Sequence, residues 1–252
     1  MKKTALICLL TAFIMVFSAC SSTQNTVSNV QQPENISTGD QIYPAQNLNA
    51  SEESDNVNGM RFTMTLNEFT QKYNEIMQKT GGKDYLNKSK WAKTGDTQKD
   101  SNGVNYDCYY YDSEKINFTA TVETNSGKLM NVGCGTTMAL FVSQENNQIF
   151  SDVVLRKSAI MATAVCGFPA SSLDVIQDIF YRTTFESTDS LWYQGNIFSL
   201  SMKEDKADSQ KSTMLFRVFP VTDDLRKEWN VEDYETYIQS ASTQSIFGND
   251  SN

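Results

Sequence analysis

Ile116-Asn117-Phe118-Thr119-Ala120-Thr121-Val122-Glu123 is the stretch that decides the fold. Ile116, Phe118, Ala120 and Val122 alternate with Asn117, Thr119, Thr121 and Glu123. A period of two puts one set on a buried face and the other toward water. Asn125-Ser126-Gly127 supplies a turn, and Lys128 to Thr136 returns with Met130, Val132 and Cys134 on one side. Upstream, Gly103 precedes a strand-like run from Val104 to Tyr111, and Trp91 to Thr97 is a weaker strand. Successive short strands with tight connections predict an antiparallel meander packed on a helix.

That helix is written just before the strands. Thr65 can cap it, Glu68 stands three residues on for the reciprocal bond, and Met64 can staple to Phe69. Phe69, Tyr73, Ile76 and Met77 form one apolar stripe, which Gly81-Gly82 ends. Arg61 to Thr63 reads as a short strand ahead of the cap.

A second helix is expected from Ser143 to about Cys166, stopped by Gly167 and Pro169. Its two neighbouring apolar stripes, Ile149-Val153-Ile160-Ala164 and Phe150-Val154-Met161-Val165, predict the most buried helix of the domain. Ser171 or Ser172 caps a third, carrying Val175, Ile176, Ile179 and Phe180. Strands follow at Leu191–Tyr193, Ile197–Met202 and Thr213–Val221, with Pro220 assigning the last an end or an edge. Asn230 caps a final helix with Tyr234 and Ile238. The expected fold is α+β, an antiparallel sheet with helices on one face. It has two similar helix-plus-meander halves, with no residue-level repeat between them.

The amino terminus is of another kind. Lys2 and Lys3 precede an apolar run from Ala5 to Phe17, broken only by Thr11. At about 13 residues it matches the core of a signal peptide and falls short of a spanning helix. Phe17-Ser18-Ala19-Cys20 follows and resembles the lipobox of bacterial lipoproteins. The resemblance implies a signal peptide over 1–19, a lipid on the Cys20 thiol, cleavage before Cys20 and acylation of the new amino terminus by chains such as palmitate. Two or more chains give stable anchoring, at about 0.8 kcal/mol per buried CH₂. Ser21 lacks the aspartate that retains such proteins at an inner membrane, which implies the outer membrane where the host has one. An ordinary secretory signal cut after Ser21 is the alternative.

Residues 20–58 read as the lipidated cysteine and a disordered linker: polar, with Pro33 and Pro44 and without Lys or Arg. As a coil of 38 residues from Ser21, its span is roughly 35 Å. The globular domain is expected over 59–240 and a polar tail over 241–252.

Composition narrows function. Loss of the leader takes the formal charge from −9 to −11, with 21 minus 2 basic residues against 30 acidic ones. Such a chain is poorly suited to nucleic acid, leaving a membrane reached through the lipid, and an envelope protein or glycan, as the expected partners. The absence of histidine removes Ser-His-Asp and Cys-His catalysis and the commonest zinc ligand. No calcium loop, phosphate loop or Ser-x-x-Lys pair is present, so no catalytic residue, metal or cofactor is assigned.

Cys108, Cys134 and Cys166 remain after the leader and Cys20. Export favours disulfides; Cys108–Cys134 is the preferred pair, with three small buried hydrophobes as the alternative. Trp91, Tyr109, Tyr111, Trp192 and Tyr193, with Tyr106 and Tyr110, form a candidate aromatic binding surface. The reading is a lipid-anchored, non-catalytic binding module of the cell envelope, exposed to periplasm or exterior. The alternatives are a carboxylate-dependent hydrolase of envelope polymers, whose two acids would face one another across a cleft, and a purely structural envelope component.

Overall fold

The computed structural model describes residues 60–247, apart from 101, 114, 146 and 187, with side chains as far as Ser240. The leader, Cys20, the linker and residues 248–252 of the tail lie outside the described residues, while 241–247 of the expected tail belong to the last helix. The first element is helix α1, Leu66–Lys79. Its capping box forms as expected: the Thr65 amide donates to Glu68 Oε2 at 2.7 Å, and the Glu68 amide to Thr65 Oγ1 at 3.3 Å. Phe69, Tyr73, Ile76 and Met77 are all buried, so the stripe meets the core. Arg61 to Thr63 is no strand, although the Phe62 amide donates to the Leu129 carbonyl at 2.7 Å.

Four antiparallel strands follow: β1 Ala92–Lys99, β2 Asn105–Tyr111, β3 Asn117–Glu123 and β4 Leu129–Thr137. A bulge beside Thr121 pairs Val122 with Leu129 and throws Met130 out of the expected alternation. The single helix expected from Ser143 is broken up. A short α2, Met138–Phe141, is capped by Thr137; the strands β5, Gln144–Glu145, and β6, Gln148–Ile149, form a small hairpin. Asn147 between them has φ 63°, a left-handed turn conformation incompatible with a continuous helix. Helix α3 then runs Phe150–Val165, and Ala159, Ala162 and Ala164 are fully buried. Its small residues let it approach α1, β4 and the next helix, α4, Leu173–Phe185.

The second meander is β7 Ser190–Tyr193, β8 Asn196–Lys203 and β9 Thr213–Pro220. Gln194 and Gly195, both at positive φ, give β7 and β8 the two-residue turn that matches strand twist. Thr222 caps an unexpected helix, α5, Asp223–Glu228. Asn230, at φ 57°, closes this helix rather than starting the last one. β10, Glu232–Asp233, pairs parallel to β7, and α6 runs Tyr234–Phe247.

All but the small hairpin join one sheet in the order β1-β2-β3-β4-β9-β8-β7-β10. Each half runs helix then meander, and the halves meet antiparallel through their final strands, β4 and β9. Pro220 thus terminates a central strand, not an edge. The fold is α+β, as the alternation and stripes predict. Phe118, Ala120, Val122, Val132, Cys134, Phe198, Phe216 and Val218 join the main core with residues of α1, α3, α4 and α6. Aromatic pairs brace each half: Tyr73–Phe118 at 5.5 Å and Phe180–Phe216 at 5.3 Å, both edge-to-face.

Candidate functional site

The opposite face of the sheet is the candidate site. It is built by the residues between those core positions. Register places Ser199, Arg217, Gly133, Thr119 and Tyr110 in one row across β8, β9, β4, β3 and β2. A second row is Ser201, Leu215, Gly135 and Asn117. A third runs Asn131, Thr121, Cys108 and Thr94. Five strands at about 4.8 Å spacing make the first row roughly 19 Å wide, and successive rows lie about 7 Å apart.

The face is more polar than the core face, and part of it is buried: Arg217 is 5 % exposed, Thr121 3 % and Asn131 2 %, whereas Tyr110, Asn117, Thr119, Ser201 and Leu215 are half-buried. Among the described residues, the Oδ1 atoms of Asn117 and Asn131 and the hydroxyls of Thr119 and Thr121 make no hydrogen bond. Buried polar groups are normally satisfied, so a cluster of four is a place where a ligand's own polar groups would bind. Burial pushes the Arg217 guanidinium down to about 10. Gly133 provides the space in which the arginine stem lies: a Cβ there would sit 3.2 Å from Arg217 Cγ and 2.7 Å from Thr119 Oγ1.

One end of the face is closed by a small apolar cluster. Ile197 of β8 packs there with Val221, Leu225 of α5 and Val231, joined by Met60, Trp192, Phe219 and Trp229. Met60, the first described residue, therefore sits on the helix-free side. Arg61 Nε then pairs with Glu123 at 2.9 Å, and Phe62 enters the main core.

The aromatic surface expected from the sequence does not form as one patch. Tyr109 and Tyr111 are buried in the helix-side core, where Trp91 stacks edge-on to Tyr111 at 5.3 Å. Tyr193 is on that side too, 5.7 Å from Tyr234. Trp192 lies across the sheet, donating from Nε1 to the Val221 carbonyl at 2.9 Å with Arg226 over its ring. Alternation separates neighbouring aromatics onto opposite faces, leaving Tyr106 and Tyr110 on the helix-free one.

The expected Cys108–Cys134 disulfide is likewise not formed, and Cys108, Cys134 and Cys166 are all buried. Cys108 lies opposite Thr121 and Cys134 opposite Phe118, so the two thiols are two strands apart and face opposite sides of the sheet. Burial pushes the Cys134 thiol up to about 12, which makes it an inert packing residue.

Several carboxylates of the helices and loops have structural partners. Asp178 accepts from Arg182 Nε at 2.6 Å and from the Tyr234 hydroxyl at 2.7 Å, docking α6 on α4. Asp223 holds Arg226 and Lys227 within α5, and Asp205 and Asp208 accept from loop amides. Arg217 and the polar rows were not singled out by the sequence reading. The signal was one arginine in the otherwise apolar run Met214 to Val221, but its face depends on a pairing 84 residues apart (Gly133 with Arg217).

No protein-family model matches this chain, and no similar curated protein or solved structure was found.

Proposed function

We propose that the chain is an exported lipoprotein, tethered through Cys20, whose domain binds a protein or glycan of the cell envelope with the helix-free face of its sheet. What supports this reading is the set of four buried side-chain oxygens on one face of the sheet, on Asn117, Thr119, Thr121 and Asn131, that no described residue satisfies. Satisfying such groups is worth about 1–3 kcal/mol each, which is a source of affinity and of specificity for a polar partner. No described helix is long and apolar enough to cross a membrane, so the proposed tether carries the attachment.

The test has two arms. Cys20→Ser should move the protein from the membrane fraction to the soluble one, and unchanged partitioning would defeat the tether. The mature chain should capture the same envelope component from extract in repeated pull-downs. Thr121→Val and Asn131→Leu, if still folded, should lose it. Capture unaffected by both substitutions would remove this face as the binding surface.

A further inference from the structure

Exposed apolar side chains collect at one corner of the domain. Among the described residues six large hydrophobics are exposed, and five of them, Val142, Ile149, Tyr181, Phe185 and Met202, lie on elements that meet at one end of the helix layer. Val142 follows the last residue of α2, Ile149 precedes the first of α3, and Phe185 ends α4. The short connection 166–172 folds α4 back along α3, so the end of one lies beside the start of the other. The ring of Phe141 in α2 stacks on Phe185 at 6.3 Å, and Tyr181 packs on Phe185 at 4.8 Å. Met202 stands opposite the core residue Met214, on the helix side of β8. Thr213 pairs with Lys203 and with Thr137, the cap of α2, which brings the end of β8 to the same corner.

Size and charge select the occupant. The five side chains are exposed by 49 % (Tyr181) to 60 % (Val142). At about 150–200 Å² for a full side chain they offer on the order of 450 Å², the size of a functional patch on a monomer. A stable dimer buries roughly 800 Å² on each partner, so a second copy is a poor match in area. Segments 186–189 and 203–211, which continue from Phe185 and Met202, carry Glu186, Asp189, Glu204, Asp205 and Asp208 against Lys203, Lys206 and Lys211. Nearby, Lys115 is held by Glu145, and Arg182 by Asp178 and Glu186. This border gives no attraction for an anionic surface. Phenylalanine and tyrosine at an uncharged apolar corner suit the boundary between acyl chains and zwitterionic headgroups, with the tyrosine hydroxyl at headgroup level.

We propose that the corner formed by Val142, Ile149, Tyr181, Phe185 and Met202 rests on the bilayer to which the chain is tethered, and so orients the domain. This rests on the tether at Cys20 proposed above. A tether raises the local concentration of the patch at the membrane to the millimolar range, where a small apolar contact suffices. Met60 packs on Ile197, five residues from Met202 along β8 and about 17 Å away. The 38 residues from Ser21 to Asn58 exceed that reach several times over at about 3.3–3.6 Å per extended residue. With the corner on the bilayer, the helix-free face of the sheet stays clear of lipid and open to its partner.

The test couples the mature chain by its Cys20 thiol to a maleimide lipid in phosphatidylcholine vesicles; Cys108, Cys134 and Cys166 are buried. Hydrogen exchange by mass spectrometry then compares coupled and uncoupled protein. Amides of 138–149 and 181–186 should exchange at least threefold more slowly on the vesicle, while those of 92–99 stay unchanged. Phe185→Ser should abolish the difference. Val142→Ser combined with Met202→Ser, at two side chains that are more than half exposed, should do the same if Phe185→Ser does not fold. Replacing part of the phosphatidylcholine by phosphatidylglycerol should not strengthen the protection. Equal exchange in coupled and uncoupled protein, or protection that survives both variants, overturns the proposal. So does concentration-dependent protection of the same segments without vesicles, which would assign the corner to a second copy. Coupling installs the anchor chemically, so this result stands apart from the Cys20→Ser partitioning that tests the natural tether.

Discussion

Gly135→Ala tests whether the two halves are held at the β4–β9 seam. Gly135 pairs with Leu215, and a Cβ built on it would lie 2.6 Å from the Met214 carbonyl oxygen. That oxygen is backbone in the centre of the sheet, so relief requires the strands to part. Overpacking of this kind costs about 1–3 kcal/mol, and the upper end applies where no side chain can rotate away. Alanine regains roughly 0.5–1 kcal/mol over glycine in a strand, for a net loss of about 2 kcal/mol. For a domain of this size that lowers the melting temperature by about 4–8 °C. Gly133→Ala is the matched control, because its Cβ would meet the Thr119 hydroxyl, Leu215 Cδ1 and the Arg217 stem. All three can move, so its loss should stay below about 1 kcal/mol. Thermal unfolding followed by circular dichroism measures both. A Gly135→Ala melting point within 2 °C of wild type, or an equal loss from Gly133→Ala, would refute the backbone-clash reasoning.

Thr65→Ala should cost about 1 kcal/mol through loss of the acceptor for the Glu68 amide, lowering the calorimetric melting temperature by about 2–4 °C; an unchanged transition would show that the capping box contributes nothing. Stability should also fall in alkali. Burial raises the Cys134 thiol from 9.0 to about 12, so between those values the native thiol keeps its proton while the unfolded one loses it. The native state then binds more protons, and its stability, complete below pH 9, declines by about 1.4 kcal/mol per pH unit as the pH rises above it. Cys166, raised in the same direction by burial, adds to the decline. Urea midpoints that stay constant from pH 8 to 10.5 would contradict this.

Much of the architecture is legible residue by residue because its causes are local. The Thr65–Glu68 box, the Phe69–Tyr73–Ile76–Met77 stripe and the alternation from Ile116 to Glu123 each depend on neighbours within a few positions. Failures begin where a local signal has two uses. Asn230 suits a helix start and a left-handed helix end, and its position after Trp229 made it the latter. The helix expected from Ser143 begins only at Phe150, because Asn147 ahead of it takes a positive φ that hydrophobic pattern does not mark.

By itself, the sequence determined the α+β class, the helix-then-meander order of both halves, the acidic, histidine-free composition and the apolar run from Ala5 to Phe17 that precedes Cys20. Tertiary structure alone decided which strands meet: β4 beside β9, and β10 parallel to β7. Those pairings set Cys108 and Cys134 on opposite faces, divided the aromatics between two sides, and placed Arg217 beside Gly133 and in one row with Thr119. The physical reason is that a strand's period of two specifies that it has two faces, while the identity of each face's neighbours is settled by hydrogen-bonding partners far away in the chain.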